Sequence, residues 1–109
     1  MNNFKEKFDK ANTNFDKDKF ESIIHKSLLV YGEQESMIIV MEELAELSQA
    51  TSKQLRNKGD YYNLIEEMAD VIICLQFLKD NYNISKEDLI KSINTKIDRI
   101  NNRTKRKLE

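Results

Sequence analysis

Proline is absent from this chain and glycine occurs only twice, at Gly32 and Gly59. Proline breaks helices and glycine weakens them, so a chain this poor in both reads as long helices joined by short turns. Cysteine occurs once, at Cys74, which excludes an internal disulfide and any thiolate cluster for zinc. A reducing compartment is the simplest fit. Neither sign of charge dominates: charged residues are 34% of the chain, yet the net charge is only −1, which gives no field to draw nucleic acid or an anionic membrane. No apolar run approaches the length of a membrane span, and the N-terminal segment lacks the apolar centre of a signal peptide. The chain therefore reads as soluble and cytoplasmic. No Gly-x-x-x-x-Gly-Lys occurs, so phosphate binding by a glycine loop is out.

What is present is enough for one domain. The 109 residues are 39% apolar, which supports a modest core that a dimer would enlarge. Residues 1–15 form a polar N-terminal segment in which Phe4 and Phe8 suit one short helical turn, with fraying expected. Residues 16–109 carry the helical periodicity. From about Asp16, Phe20, Ile23, Ile24, Ser27, Leu28 and Tyr31 mark a first long helix that Gly32 ends. A second runs from about Glu33 to Asn57, with Met37, Val40, Met41, Leu44, Leu47, Thr51 and Leu55 as its stripe. A third follows Asp60, a good N-cap, to about Asn81. A fourth opens at Ser85 with acids in its first turn, and carries Leu89, Ile90, Ile93, Ile97 and Ile100. The expectation is an all-α, four-helix bundle-like domain.

One hexapeptide occurs twice. The second long helix has Glu42-Glu43-Leu44-Ala45-Glu46-Leu47, and the third has Glu66-Glu67-Met68-Ala69-Asp70-Val71. An antiparallel hairpin through Lys58-Gly59-Asp60 would set the copies face to face about a pseudo-twofold axis. Glu43 and Glu46 are i, i+3 and share one helix face, as do Glu67 and Asp70. At about 100° per residue, Glu67 and Asp70 fall among Cys74, Phe77 and Leu78, on a helix apolar almost all round from Met68 to Leu78. Burying an unpaired carboxylate costs at least several kcal/mol, and four together repel one another. A divalent cation offsets both, and all-oxygen ligation favours Mg²⁺, with Mn²⁺ as the alternative. Mg²⁺ also binds substrate phosphates, which points to phosphoryl chemistry on a nucleotide. A di-iron bundle would want Glu-x-x-His, and no histidine follows either acid pair.

Other residues are assigned lesser roles. Lys53 lies two turns after Glu46 on nearly the same face, suited equally to a phosphate or to solvent. Lys96 and Arg99 form an i, i+3 basic pair that could hold phosphate oxygens if the fourth helix packs near the acids. His25, with no partner near it in sequence, reads as structural. Cys74, Met37, Met41 and Met68 read as core. The basic tail from Arg103 reads as a solvated helix end, where cations suit the helix dipole.

The pattern Glu43-x-x-Glu46 followed by Glu67-x-x-Asp70 resembles the metal-binding motif of the MazG-like family, in the all-α NTP pyrophosphohydrolase superfamily. The segments from Glu42 to Lys53 and from Asn63 to Ile72 look like that family's second and third helices, and the similarity extends over about residues 17–103. The resemblance implies an all-α fold whose helices pair into a homodimer, and hydrolysis of a nucleoside triphosphate between its α- and β-phosphates. It implies that Glu43, Glu46, Glu67 and Asp70 are both the Mg²⁺ ligands and the catalytic carboxylates. Lys53, Lys96 and Arg99 match its phosphate-contacting residues only loosely. No base-reading motif is visible. The alternative is a non-catalytic helical module that binds a nucleotide or a protein.

Overall fold

A computed structural model describes residues 3–109. The described residues form five helices: α1 (Asn3–Lys10), α2 (Lys17–Tyr31), α3 (Glu33–Leu55), α4 (Tyr61–Asn81) and α5 (Lys86–Leu108). Side-chain caps set three of the starts. Asp16 accepts from the Lys19 amide, Asp60 from the Tyr62 amide, and the Ser85 hydroxyl from the Asp88 amide. Each supplies a partner to an amide that the first turn leaves unsatisfied.

The α2–α3 junction is a single residue. Gly32 has φ 83° and ψ 171°, a conformation that side-chain-bearing residues pay heavily to adopt, so the chain reverses there with no loop. α3 ends two residues before the expected Asn57. Arg56 caps it, and Asn57 takes the left-handed conformation at φ 57°, where asparagine is tolerated better than most residues. The Lys58 amide then closes onto the Lys53 carbonyl at 2.8 Å.

The expected antiparallel hairpin is α3–α4, and it is the most extensive packing in the chain. α2 lies across one side of it. Ile24, Val40, Ala50 and Cys74 are the buried apolar residues. α1 packs on α4 through the Phe8 ring, edge-on to Tyr62 at 5.7 Å, with the Lys5 ammonium 5.2 Å from the same ring.

The other side of the hairpin has no cover. By helical phase, Leu44 and Leu55 of α3 and Met68, Ile72 and Leu75 of α4 share it, and all are well exposed. α4 is apolar almost all round, but one chain buries only part of its circumference. Met41 and Met68, expected in the core, are 62% and 48% exposed for the same reason. α5 packs on no other helix among the described residues, so its stripe from Leu89 to Ile100 also stands half exposed. The chain exposes 9191 Å², whereas a compact monomer of its mass would expose about 6,300 Å². Its radius of gyration is 16.9 Å against about 13 Å for a compact domain of this length. No helix of the described residues is long and apolar enough to cross a membrane.

Candidate metal centre

The hairpin register brings the two hexapeptides together. Glu43 of α3 meets Asp70 of α4, and one turn further along Glu46 meets Glu67, carboxyl against carboxyl. Antiparallel helices invert the order of the second acid pair, which is why the first acid of one copy faces the last of the other. One oxygen from each of Glu43, Glu46 and Glu67 lies within 4.8 Å of the others.

Glu43 Oε2 and Glu67 Oε2 are shut off from water and have no hydrogen-bond donor. A contact between two carboxyls becomes a hydrogen bond only when one of them carries a proton. With both ionised it is repulsive. Burial therefore pushes Glu43 up from its ordinary 4.5 to about 7, helped by Asp70, Glu46 and Glu67. Burial and Glu46 push Glu67 in the same direction. Cys74, packed beneath the acids, is pushed up to about 11 by burial and then by Glu43 and Asp70. Its thiol is thus a neutral wall rather than a nucleophile.

The donor set suits a hard cation. It offers several carboxylate oxygens at one point, two of them without a partner, and no nitrogen or thiolate ligand. Ion pairs do not neutralise it: among the described residues the only ones are Lys5–Asp9 and His25–Asp80.

The other candidate residues lie apart from the acids. Lys53 is exposed, about 10 Å along α3 from Glu46 at 1.5 Å rise per residue. Lys96 and Arg99 ride on α5, which does not approach the hairpin of its own chain. His25 has a partner after all. Its Nδ1 lies 2.9 Å from Asp80 Oδ2, a contact between α2 and the end of α4 that sequence distance concealed. Also missed was the role of α2, which with α3 and α4 encloses a cavity of about 440 Å³ bordered by Glu43 and Asp70. Its walls come from three helices with no shared spacing, so no local pattern announces them.

The acid cluster fixes how stability responds to pH. Glu43 ionises near 4.5 in the unfolded chain and near 7 in the folded one, so between these values the folded protein holds a proton that the unfolded chain has lost. The contribution is full below about pH 4.5 and disappears as pH rises through about 7. Thermal melts of the metal-free protein should give a lower Tm at pH 8 than at pH 5. Mg²⁺ should raise the Tm more at pH 8, where the carboxylates are already ionised. An equal or absent Mg²⁺ effect at the two pH values would count against a cation among these acids.

The family model described as MazG nucleotide pyrophosphohydrolase domain matches residues 32–105, a span that runs from the start of α3 to near the end of α5. No curated protein and no solved structure matched the chain. The match covers both acid pairs and most of the chain, and the chain belongs to the MazG nucleotide pyrophosphohydrolase domain family.

Proposed function

We propose that this protein is a Mg²⁺-dependent nucleoside triphosphate pyrophosphohydrolase, converting a nucleoside triphosphate and water to the monophosphate and pyrophosphate. The observation that carries the reading is the meeting of four carboxylates from two helices, two of them with buried and unpartnered oxygens, within the matched MazG span.

Glu43, Glu46, Glu67 and Asp70 hold the cation. Bound there, Mg²⁺ supplies a Lewis acid for the phosphoryl oxygens and charge compensation for the departing pyrophosphate. The chain's own part is to place the α-phosphate at the acid seam and to take up a proton. A water oxygen attacks the α-phosphorus, the bond from that phosphorus to the bridging oxygen breaks, and one of the carboxylates accepts the water's proton. Lys53, Lys96 and Arg99 bind phosphate oxygens as point charges or forks.

A homodimer completes the site. The chain exposes about 2,900 Å² more than a compact monomer of its mass, about 5,800 Å² for a pair of chains, the upper range of obligate interfaces. The uncovered side of the hairpin and the stripe of α5 are the surfaces that a second copy buries. Lys96 and Arg99 flank that stripe on one edge by helical phase, so a second copy's α5 is the route by which they meet the acids.

The test is a panel of NTPs and dNTPs incubated with and without Mg²⁺, with products resolved by ion-exchange chromatography. Monophosphate and pyrophosphate in equal amounts, only with the metal, is the expected result. Nucleotide binding with no turnover would replace this reading with the other one, a helical binding module, and release of orthophosphate in place of pyrophosphate would overturn the assigned cleavage between the α- and β-phosphates.

A further inference from the structure

The acid seam is not symmetric in its surroundings. At the Glu43–Asp70 end it opens into the 440 Å³ cavity between α2, α3 and α4, a volume in the range of small-molecule sites. At the Glu46–Glu67 end α3 continues outward to Lys53. The cavity walls are mainly apolar: Ile39 of α3, Ile73 and Phe77 of α4, and the small side chains Ser27, Ser36 and Cys74. A second apolar recess, lined by Phe20, Ile23 and Ile24, continues from it along the α2–α4 groove and shares Ser27, Ile73 and Phe77. No cationic side chain lines either recess, so neither suits a phosphate. A flat, weakly polar group fits.

We infer that this cavity holds the nucleobase, that Phe77 is its contact face, and that Ser27 and Cys74 set the size of base admitted. The inference rests on the proposed hydrolase reading and gives the substrate a direction. The base lies under α2 and the α-phosphate at Glu43 and Asp70. The pyrophosphate end runs past Glu46 and Glu67 toward Lys53. Serine and cysteine at the wall leave room for a bicyclic purine, where a bulky residue at either position would leave room only for a pyrimidine. Beyond Glu43 and Asp70, the polar side chains lining the cavity are three hydroxyls, Ser27, Ser36 and Tyr31, and one further carboxylate, Glu35. Apolar walls discriminate by shape, on the order of 10- to 200-fold at most, because rejecting a wrong base more strongly needs a dedicated set of buried hydrogen-bonding partners. The four common bases should therefore differ in affinity by no more than about 200-fold.

The chain contains no tryptophan, so Phe77→Trp places a unique fluorophore on the proposed contact face. With Mg²⁺ present, α,β-methylene-ATP and α,β-methylene-CTP, which cannot be cleaved at the scissile bond, should quench it. Inorganic tripolyphosphate should bind by calorimetry without quenching. Ser27→Phe should weaken the ATP analogue at least about tenfold more than the CTP analogue, while tripolyphosphate affinity is unchanged. A melt with Mg²⁺ confirms that each variant is folded, and Cys74→Ala, which only enlarges the cavity, should retain both analogues. Equal quenching by tripolyphosphate, or a Ser27→Phe effect blind to base size, overturns the placement. If the analogues bind in this way but ATP yields no pyrophosphate, the hydrolase reading fails and the base site stands.

Discussion

Glu43→Gln and Asp70→Asn should each lower nucleotide turnover by at least about a hundredfold, the scale on which loss of one preorganised charge-stabilising group acts, with the helical circular-dichroism signal unchanged. Both substitutions keep the shape of the side chain and remove its charge. A ligand lost this way weakens the cation and misplaces the α-phosphate, and the reaction tolerates small errors of placement poorly. The same change should move stability the other way. In the metal-free protein at pH 8 the half-buried Glu43 carries its charge against three other acids, so Glu43→Gln relieves repulsion and should raise the metal-free Tm at that pH. It should also abolish the rise in Tm on adding Mg²⁺. Less activity with more metal-free stability marks a residue kept for function rather than for folding. A variant that keeps wild-type turnover, or that loses turnover simply by unfolding, would remove Glu43 from the site.

The second large effect concerns α5. The paired change Ile93→Glu and Ile97→Glu should convert a dimer to single chains of 12.9 kDa, measured by sedimentation or light scattering at micromolar concentration, and turnover should fall with it. The experiment is clean because α5 touches no other helix of its own chain, so charges on its stripe cannot disturb the packing of α2, α3 and α4. Two charges in the middle of an apolar interface must be desolvated without partners, a cost of several kcal/mol against an association of ordinary strength. Wild-type protein that sediments as a single chain would refute the dimer. It would also leave α5 with no reason for five regularly spaced aliphatic residues.

Much of the fold was legible before any coordinates. Asp60 and Ser85 are capping residues placed before apolar periodicity, and each caps a helix. Gly32 ends α2 because its backbone conformation there belongs almost to glycine alone. The repeated hexapeptide announced the acid seam, since i, i+3 spacing on two helices joined by a short turn leaves little freedom in how they meet. The errors share one cause. Apolar periodicity assigns Met41 and Met68 to the core, but it tells which side of a helix avoids water, not which molecule covers it. His25 shows no partner in the sequence because Asp80 lies 55 residues away, and pairing at that separation is a product of packing.

By itself, then, the sequence determined what is local: where the helices run and that the two acid motifs lie on faces able to meet. Local spacing and capping obey rules that operate over one or two turns. Only the tertiary structure decided which carboxyl faces which, that two of their oxygens are sealed from water without a donor, and that α2 roofs an apolar cavity at one end of the seam. These depend on how three helices from separate stretches of chain cross, and no short-range rule specifies that.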